Sequence, residues 1–164
     1  MINNAALTTL HGLHNLAVIP GQLAITGNPS LEDLSGLEAL STLGGSLLLV
    51  DNTGLTSLYG LSHLPLLRAV GRNLVIQGNA QLRDLDGLEG ITSVGVSLVV
   101  RNNSALTDLF GLHRVRSVGE IGEVEVNSLA YQHFFPPLLG GTRAPLPALW
   151  RDELALRCGG RCGL

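Results

Sequence analysis

Asparagine returns along this chain at an almost constant interval. Asn4, Asn28, Asn52, Asn79 and Asn103 are separated by 24, 24, 27 and 24 residues. Each stands in one frame, Leu-x-Ile/Leu/Val-x-x-Asn-x-x-Leu-x-x-Leu-x-Gly-Leu-x-x-Leu/Ile/Val, of which the first copy keeps only the part from Met1 onward. A unit this short cannot bury an apolar face by itself, so successive units must stack on one another. The chain is therefore expected to be a solenoid of coils.

Alignment on the asparagine gives the path of one coil. Three residues before it stand Ile25, Leu49, Ile76 and Val100, and five before it Leu23, Leu47, Leu74 and Leu98. A separation of two is the period of one strand face, so both columns point inward. After the asparagine, leucines recur at every third place: Leu31, Leu34, Leu37 and Leu40 in one coil, and Leu82, Leu85, Leu88 and Ile91 in another. No single helix or strand has that pattern over a whole period. A path that turns corners and keeps one leucine inward at each step does.

Glycine forms two further columns. Gly12, Gly36, Gly60, Gly87 and Gly111 imply either a left-handed backbone or no room for a Cβ. Gly44, Gly71, Gly95 and Gly119 precede the strands and mark the corner into them. Between the columns one helical turn is expected, because Ser35-x-x-Glu38 and Asp86-x-x-Glu89 have the spacing of a capping box. His11, Tyr59 and Phe110 hold the cap place in the other coils. The three extra residues of the third coil, near Pro65-Leu66-Leu67, predict a small bulge on one edge.

The asparagine has a structural rationale. At a sharp corner in a stack, main-chain N–H and C=O groups of neighbouring coils turn away from each other. An amide carries both donors and an acceptor to pair them, and strand spacing places successive amides about 4.8 Å apart.

Composition fits a chain that buries much of its length: 45% hydrophobic, 14% charged. The 164 residues suffice for one domain. A net charge of −3 gives no electrostatic reason to expect nucleic acid. All ten basic residues are arginine, a usage associated with GC-rich coding and hence with a bacterial source. No apolar run reaches the length of a membrane span. Met1-Ile-Asn-Asn lacks the features of a signal peptide and opens in mid-repeat, as one module of a longer protein would.

The frame resembles the receptor L-domain family, the leucine-rich β-helix module of insulin- and epidermal-growth-factor-type receptors, with related modules in bacterial and fungal surface proteins. The residues that carry the resemblance are Leu23-Ala-Ile25-Thr-Gly-Asn28-Pro-Ser-Leu31-Glu-Asp-Leu34-Ser-Gly-Leu37 and Leu74-Val-Ile76-Gln-Gly-Asn79-Ala-Gln-Leu82-Arg-Asp-Leu85-Asp-Gly-Leu88. Ordinary leucine-rich repeats read N-x-L, whereas this chain reads N-x-x-L. The resemblance covers residues 1–127. It implies a mainly β fold: a right-handed parallel β-helix, or leucine-rich solenoid, of about five 24-residue coils with a C-terminal cap. Handedness follows also from the rule for parallel crossovers. The cysteine-rich modules and kinase of animal receptors are absent, so growth-factor binding is not implied. What is implied is a non-catalytic binding or scaffold module at a cell surface, periplasmic or extracellular, for a protein or glycan ligand, and without a cofactor. A carbohydrate-active β-helix enzyme is the alternative.

Candidate binding residues lie on the outward strand positions, Leu48, Val75 and Val99 in one column after Ala24, and Val50, Gln77 and Arg101 in the next after Thr26. A solvated sheet face should be polar, yet the first column is apolar. It marks a partner surface, reflects the strand preference of β-branched residues, or is covered by the C-terminal segment. Asp33, Asp84 and Asp108 share a column with Thr9 and Ser57. Such residues serve a turn or, if the carboxylates converge, a cation. The histidines, His11, His14, His63, His113 and His133, are scattered over different coil positions, with no spacing of a metal or catalytic pair.

Past Asn127 the frame dissolves. Residues 128–157 are expected to form an irregular cap, with Phe134, Phe135, Leu138 and Leu139 covering the last coil and a short helix near 147–157. Residues 158–164 read as a disordered tail whose Cys158 and Cys162 form a local disulfide or remain free thiols.

Overall fold

The computed structural model describes residues 1–61 and 67–124. They form a parallel β-solenoid of about four turns with almost no helix. The first coil closes through β1 (Val18–Ile19) into β2 (Leu23–Thr26), the next through β3 (Thr42–Leu43) into β4 (Leu47–Val50), and the third through β5 (Ala69–Val70) into β6 (Leu74–Gln77). Two long strands complete the stack, β7 (Ser93–Arg101) and β8 (Ser117–Val124). Every pairing is parallel. β1, β3 and β5 lead to the start of β7, while β2, β4 and β6 lead to its end, and β8 lies beyond β7.

The glycine corner before each strand is a sharp break only in the earlier coils. In β7 and β8 the chain runs through Gly95 and Gly119 as continuous strand. Close coil-to-coil approach explains the glycines at all these places. A Cβ on Gly71 would strike the carbonyl oxygen of Gly44, and one on Gly95 that of Gly71.

Inward columns hold as the period demands. Leu23, Ile25, Leu47, Leu49, Leu74, Ile76, Leu98 and Val100 are buried, and so is every corner leucine from Leu31 to Leu61 and from Leu82 to Val115. Only the first coil differs: Leu7, Leu13 and Leu16 are half-buried, with Leu10 buried.

The asparagines form a continuous ladder. The Oδ1 of Asn52 accepts from the main-chain N–H of Asn28 at 3.1 Å and from its Nδ2 at 3.0 Å. The Nδ2 of Asn52 donates back to the carbonyl of Ile25 at 2.8 Å and on to Asn79 Oδ1 at 3.3 Å. Asn79 repeats this with Leu49 and Asn103. Each internal amide thus ties three coils together. Asn28, Asn52 and Asn79 are fully buried and Asn103 is 5% exposed, which is tolerable only because their polar atoms are paired.

The turn after the asparagine departs from expectation. The 3₁₀ turns are His11–Leu13, Tyr59–Leu61 and Phe110–Leu112, in the coils without capping-box spacing. In the other two, Gly36 and Gly87 take φ of 111° and 114°. Glu38 and Glu89 there accept the N–H of Gly36 and Gly87, two residues back. The glutamate braces a left-handed glycine bend and does not cap a helix. A helical turn and a positive-φ glycine are incompatible at one place, so coils of two kinds alternate along the stack.

The expected bulge near Pro65, the cap at 128–157, the helix near 147–157 and the tail with Cys158 and Cys162 lie outside the described residues, as do His63 and His133. Leu67, next to the first of these, is buried.

Replacing Asn79 by alanine removes the acceptor for two donors of Asn52 and the donor to Leu49. Urea titration should show a loss of about 1–3 kcal/mol, the cost of buried polar groups left unpaired. Asn4→Ala, at the exposed first rung, should change stability by no more than about 0.5 kcal/mol. Equal losses at the two rungs would contradict the ladder.

Candidate binding face of the sheet

Strand alternation decides which side chains reach solvent. β2, β4 and β6 each repeat buried, half-buried, buried, half-buried, and the last four residues of β7 do the same. Register then assembles the outward residues into two files. Ala24 lies beside Leu48, Leu48 beside Val75 and Val75 beside Val99. Thr26, Val50, Gln77 and Arg101 line up in the second file. All six candidate residues, Leu48, Val50, Val75, Gln77, Val99 and Arg101, therefore share one face. Neighbouring strands lie about 4.8 Å apart, so the strip spans about 15 Å across four strands.

The two files differ in chemistry. The first is wholly apolar. The second begins with Thr26 and Val50 and ends polar, where the Nε of Arg101 donates to Gln77 Oε1 at 2.8 Å. That bond fixes the plane of the guanidinium and the reach of the amide. At the first-coil edge, Ile2 bridges to Thr26 and is 61% exposed, which extends the second file by one more apolar side chain.

One column beside this face was not anticipated from the sequence. The residue between the second file and the ladder is left-handed in every coil: Asn3 at 56°, Gly27 at 67°, Asp51 at 53°, Gly78 at 70° and Asn102 at 56°. These are the residue types that tolerate such a backbone. Their recurrence before each ladder asparagine was the available signal. The side chains interlock too. A Cβ on Gly27 would strike Asn3 Oδ1, and one on Gly78 would strike Asp51 Oδ1. An asparagine or aspartate in one coil thus lies over the glycine of the next.

The acidic column has a local role. The Oδ1 atoms of Asp33, Asp84 and Asp108 accept the N–H two residues on, from Ser35, Asp86 and Phe110, at 2.8, 3.1 and 2.9 Å. Ser57 Oγ does the same for Tyr59 at 3.1 Å. These are turn-forming bonds. His14 and His113 likewise place Nδ1 2.7 Å from the carbonyls of His11 and Phe110, three residues earlier. The His113 ring stacks on Phe110, with centroids 4.5 Å apart.

The chain matches no family model, no curated protein and no solved structure.

Adjacent positions on one strand separate the two faces. Leu98→Ala should cost about 2–5 kcal/mol in denaturant titration, as buried leucines do. Val99→Ala should cost less than about 1 kcal/mol. Similar penalties at both places would show that the face is packed core.

Proposed function

We propose that this chain is a non-catalytic binding or scaffold module of the receptor L-domain type. It recognises a protein or glycan ligand through the outward sheet face and belongs to a bacterial envelope or surface protein. One observation carries the reading: Leu48, Val75 and Val99 form an apolar file on half-buried strand positions, where a solvated face alternates to polar. Val75 is the centre of that file. Gln77 and Arg101, joined to each other, supply the polar rim that orients a partner. The strip is smaller than a standard interface of about 800 Å² per partner, so residues flanking it must share the contact.

The acidic residues favour binding over glycan hydrolysis. A glycosidase needs two carboxyl groups on either side of a bond. Asp33, Asp84 and Asp108 are each engaged by a main-chain N–H of their own turn.

The test is surface plasmon resonance of the intact chain against panels of bacterial envelope glycans and envelope proteins, beside Val75→Glu. The expected result is a ligand bound by the wild-type chain and held at least about tenfold more weakly by the variant, a difference of about 1.4 kcal/mol, with the thermal unfolding midpoint unchanged. Undiminished affinity in Val75→Glu would reject the face. Release of reducing sugar from a polysaccharide would favour the enzyme reading.

A further inference from the structure

Charge is divided between the two stretches of each coil that follow the ladder asparagine. The first stretch, which holds the 3₁₀ turn or glycine bend, is acidic. Glu32, Asp33 and Glu38 lie there in the second coil, Asp84, Asp86 and Glu89 in the fourth and Asp108 in the fifth, against Arg83 alone. The second stretch returns toward the strands through residues 15–22, 39–46, 67–73, 90–97 and 114–121, and its sign is reversed. It carries Arg68, Arg72, Arg114 and Arg116, with Glu120 as its one carboxylate.

Register draws these arginines onto one flank. The carbonyl of Arg68 accepts the N–H of Thr92 at 2.8 Å, and that of Thr92 accepts the N–H of Arg116 at 2.8 Å. Arg68 and Arg116 thus stand on one line two coils apart, about 9–10 Å at the spacing of neighbouring strands. Arg114 precedes Arg116 by two residues, across the buried Val115, and Arg72 lies at the far end of β5 from Arg68. Between these positions runs an outward file of short side chains. Ala69 lies beside Ser93 and Ser93 beside Ser117, with Thr42 one step before the Leu43–Val70 pair.

This flank is rich in unused donors. The side chains of Arg68, Arg72, Arg114 and Arg116 are exposed and form no hydrogen bond or ion pair among the described residues. The hydroxyls of Thr42, Ser93 and Ser117 are equally unengaged there. Like charges brought this near weaken the fold slightly, and an anion relieves them. The carboxylates of the first stretch confine the favourable field to this side of the molecule.

The side chains also select the kind of anion. Guanidinium forks pair with the oxygens of carboxylate and phosphate groups. Hydroxyls between them both donate and accept, as sugar hydroxyls require. A protein partner would need an apolar pocket for its anchors, but Val18 and Val96, the exposed apolar side chains here, stand three coils apart. Nucleic-acid bases would need rings to stack on, and these five stretches carry no aromatic residue.

We infer that the flank formed by β1, β3, β5, the start of β7 and β8 binds an anionic polysaccharide. Arg68 and Arg116 pair with its charged groups, and Thr42, Ser93 and Ser117 with its hydroxyls. The surface is separate from the file of Leu48, Val75 and Val99 and does not rest on the function proposed for that file.

Biolayer interferometry of the intact chain on immobilised heparin, polygalacturonate and dextran tests this. The chain should bind at least one of the two anionic polymers saturably, ignore neutral dextran, and bind more weakly as sodium chloride rises. Arg68→Ala/Arg116→Ala should weaken binding at least about tenfold, whereas Arg83→Ala/Arg101→Ala, which removes the same charge elsewhere, should change it by less than about twofold. Both double variants should keep the thermal unfolding midpoint, because the Arg68 and Arg116 side chains touch no partner and Arg83 is exposed. No saturable binding to either anionic polymer, equal losses in the two double variants, or tighter binding of single-stranded oligothymidylate would overturn the inference.

Discussion

An amide side chain offers two N–H donors and one carbonyl acceptor, and the stack depends on how the ladder asparagines use them. At each corner the strands end and the main chain turns. Without a side chain, the N–H groups of Asn28, Asn52 and Asn79 would be buried without the acceptor they use, and the carbonyls of Ile25, Leu49 and Ile76 would each lose a donor. The amides close this account: each internal Oδ1 takes two donors from the coil before, and Asn52, Asn79 and Asn103 return an Nδ2 to a carbonyl of that coil. An unpaired buried group costs about 1–3 kcal/mol, more than the ~1 kcal/mol that a typical hydrogen bond contributes. The asparagines therefore let the leucine interior close around the corner without leaving these N–H groups unpaired.

The same corner is what forces two kinds of coil. The residue before each ladder asparagine is left-handed, which admits Gly, Asn or Asp. The side chain of one coil then occupies the space over its successor, so the successor must be glycine. The turn that follows alternates in step, from a 3₁₀ turn to a glycine bend held by Glu38 or Glu89. The structural repeat is accordingly two coils.

Periodicity made much of this legible. Strand faces, the inward columns and the ladder follow from period-two and period-24 spacing, because burial acts on each side chain in the same way in every coil. The bend at Gly36 and Gly87 was misread. Ser35 and Glu38 have capping spacing, but spacing does not reveal that glycine backbone leaves the helical region, nor that the glutamate reaches Gly36 instead of Ser35. The two-coil repeat was also hidden, since aligning every coil on one asparagine averages Asn3, Gly27, Asp51, Gly78 and Asn102 into a single polar column. The candidate face was legible as a pattern of Leu48, Val75 and Val99. The bond from Arg101 to Gln77 joins side chains 24 residues apart and needed the register.

If the ladder holds the stack, loss of one rung must be felt on the neighbouring coil and at one identifiable atom. The most direct measurement is native-state hydrogen exchange in Asn52→Ala, read at the main-chain N–H of Asn28, which donates to Asn52 Oδ1. The account predicts that this amide loses protection far beyond any change in global stability, while that of Asn79, which donates to Asn103 Oδ1, loses no more than the global change. An Asn28 amide as protected as in the wild-type chain would contradict it.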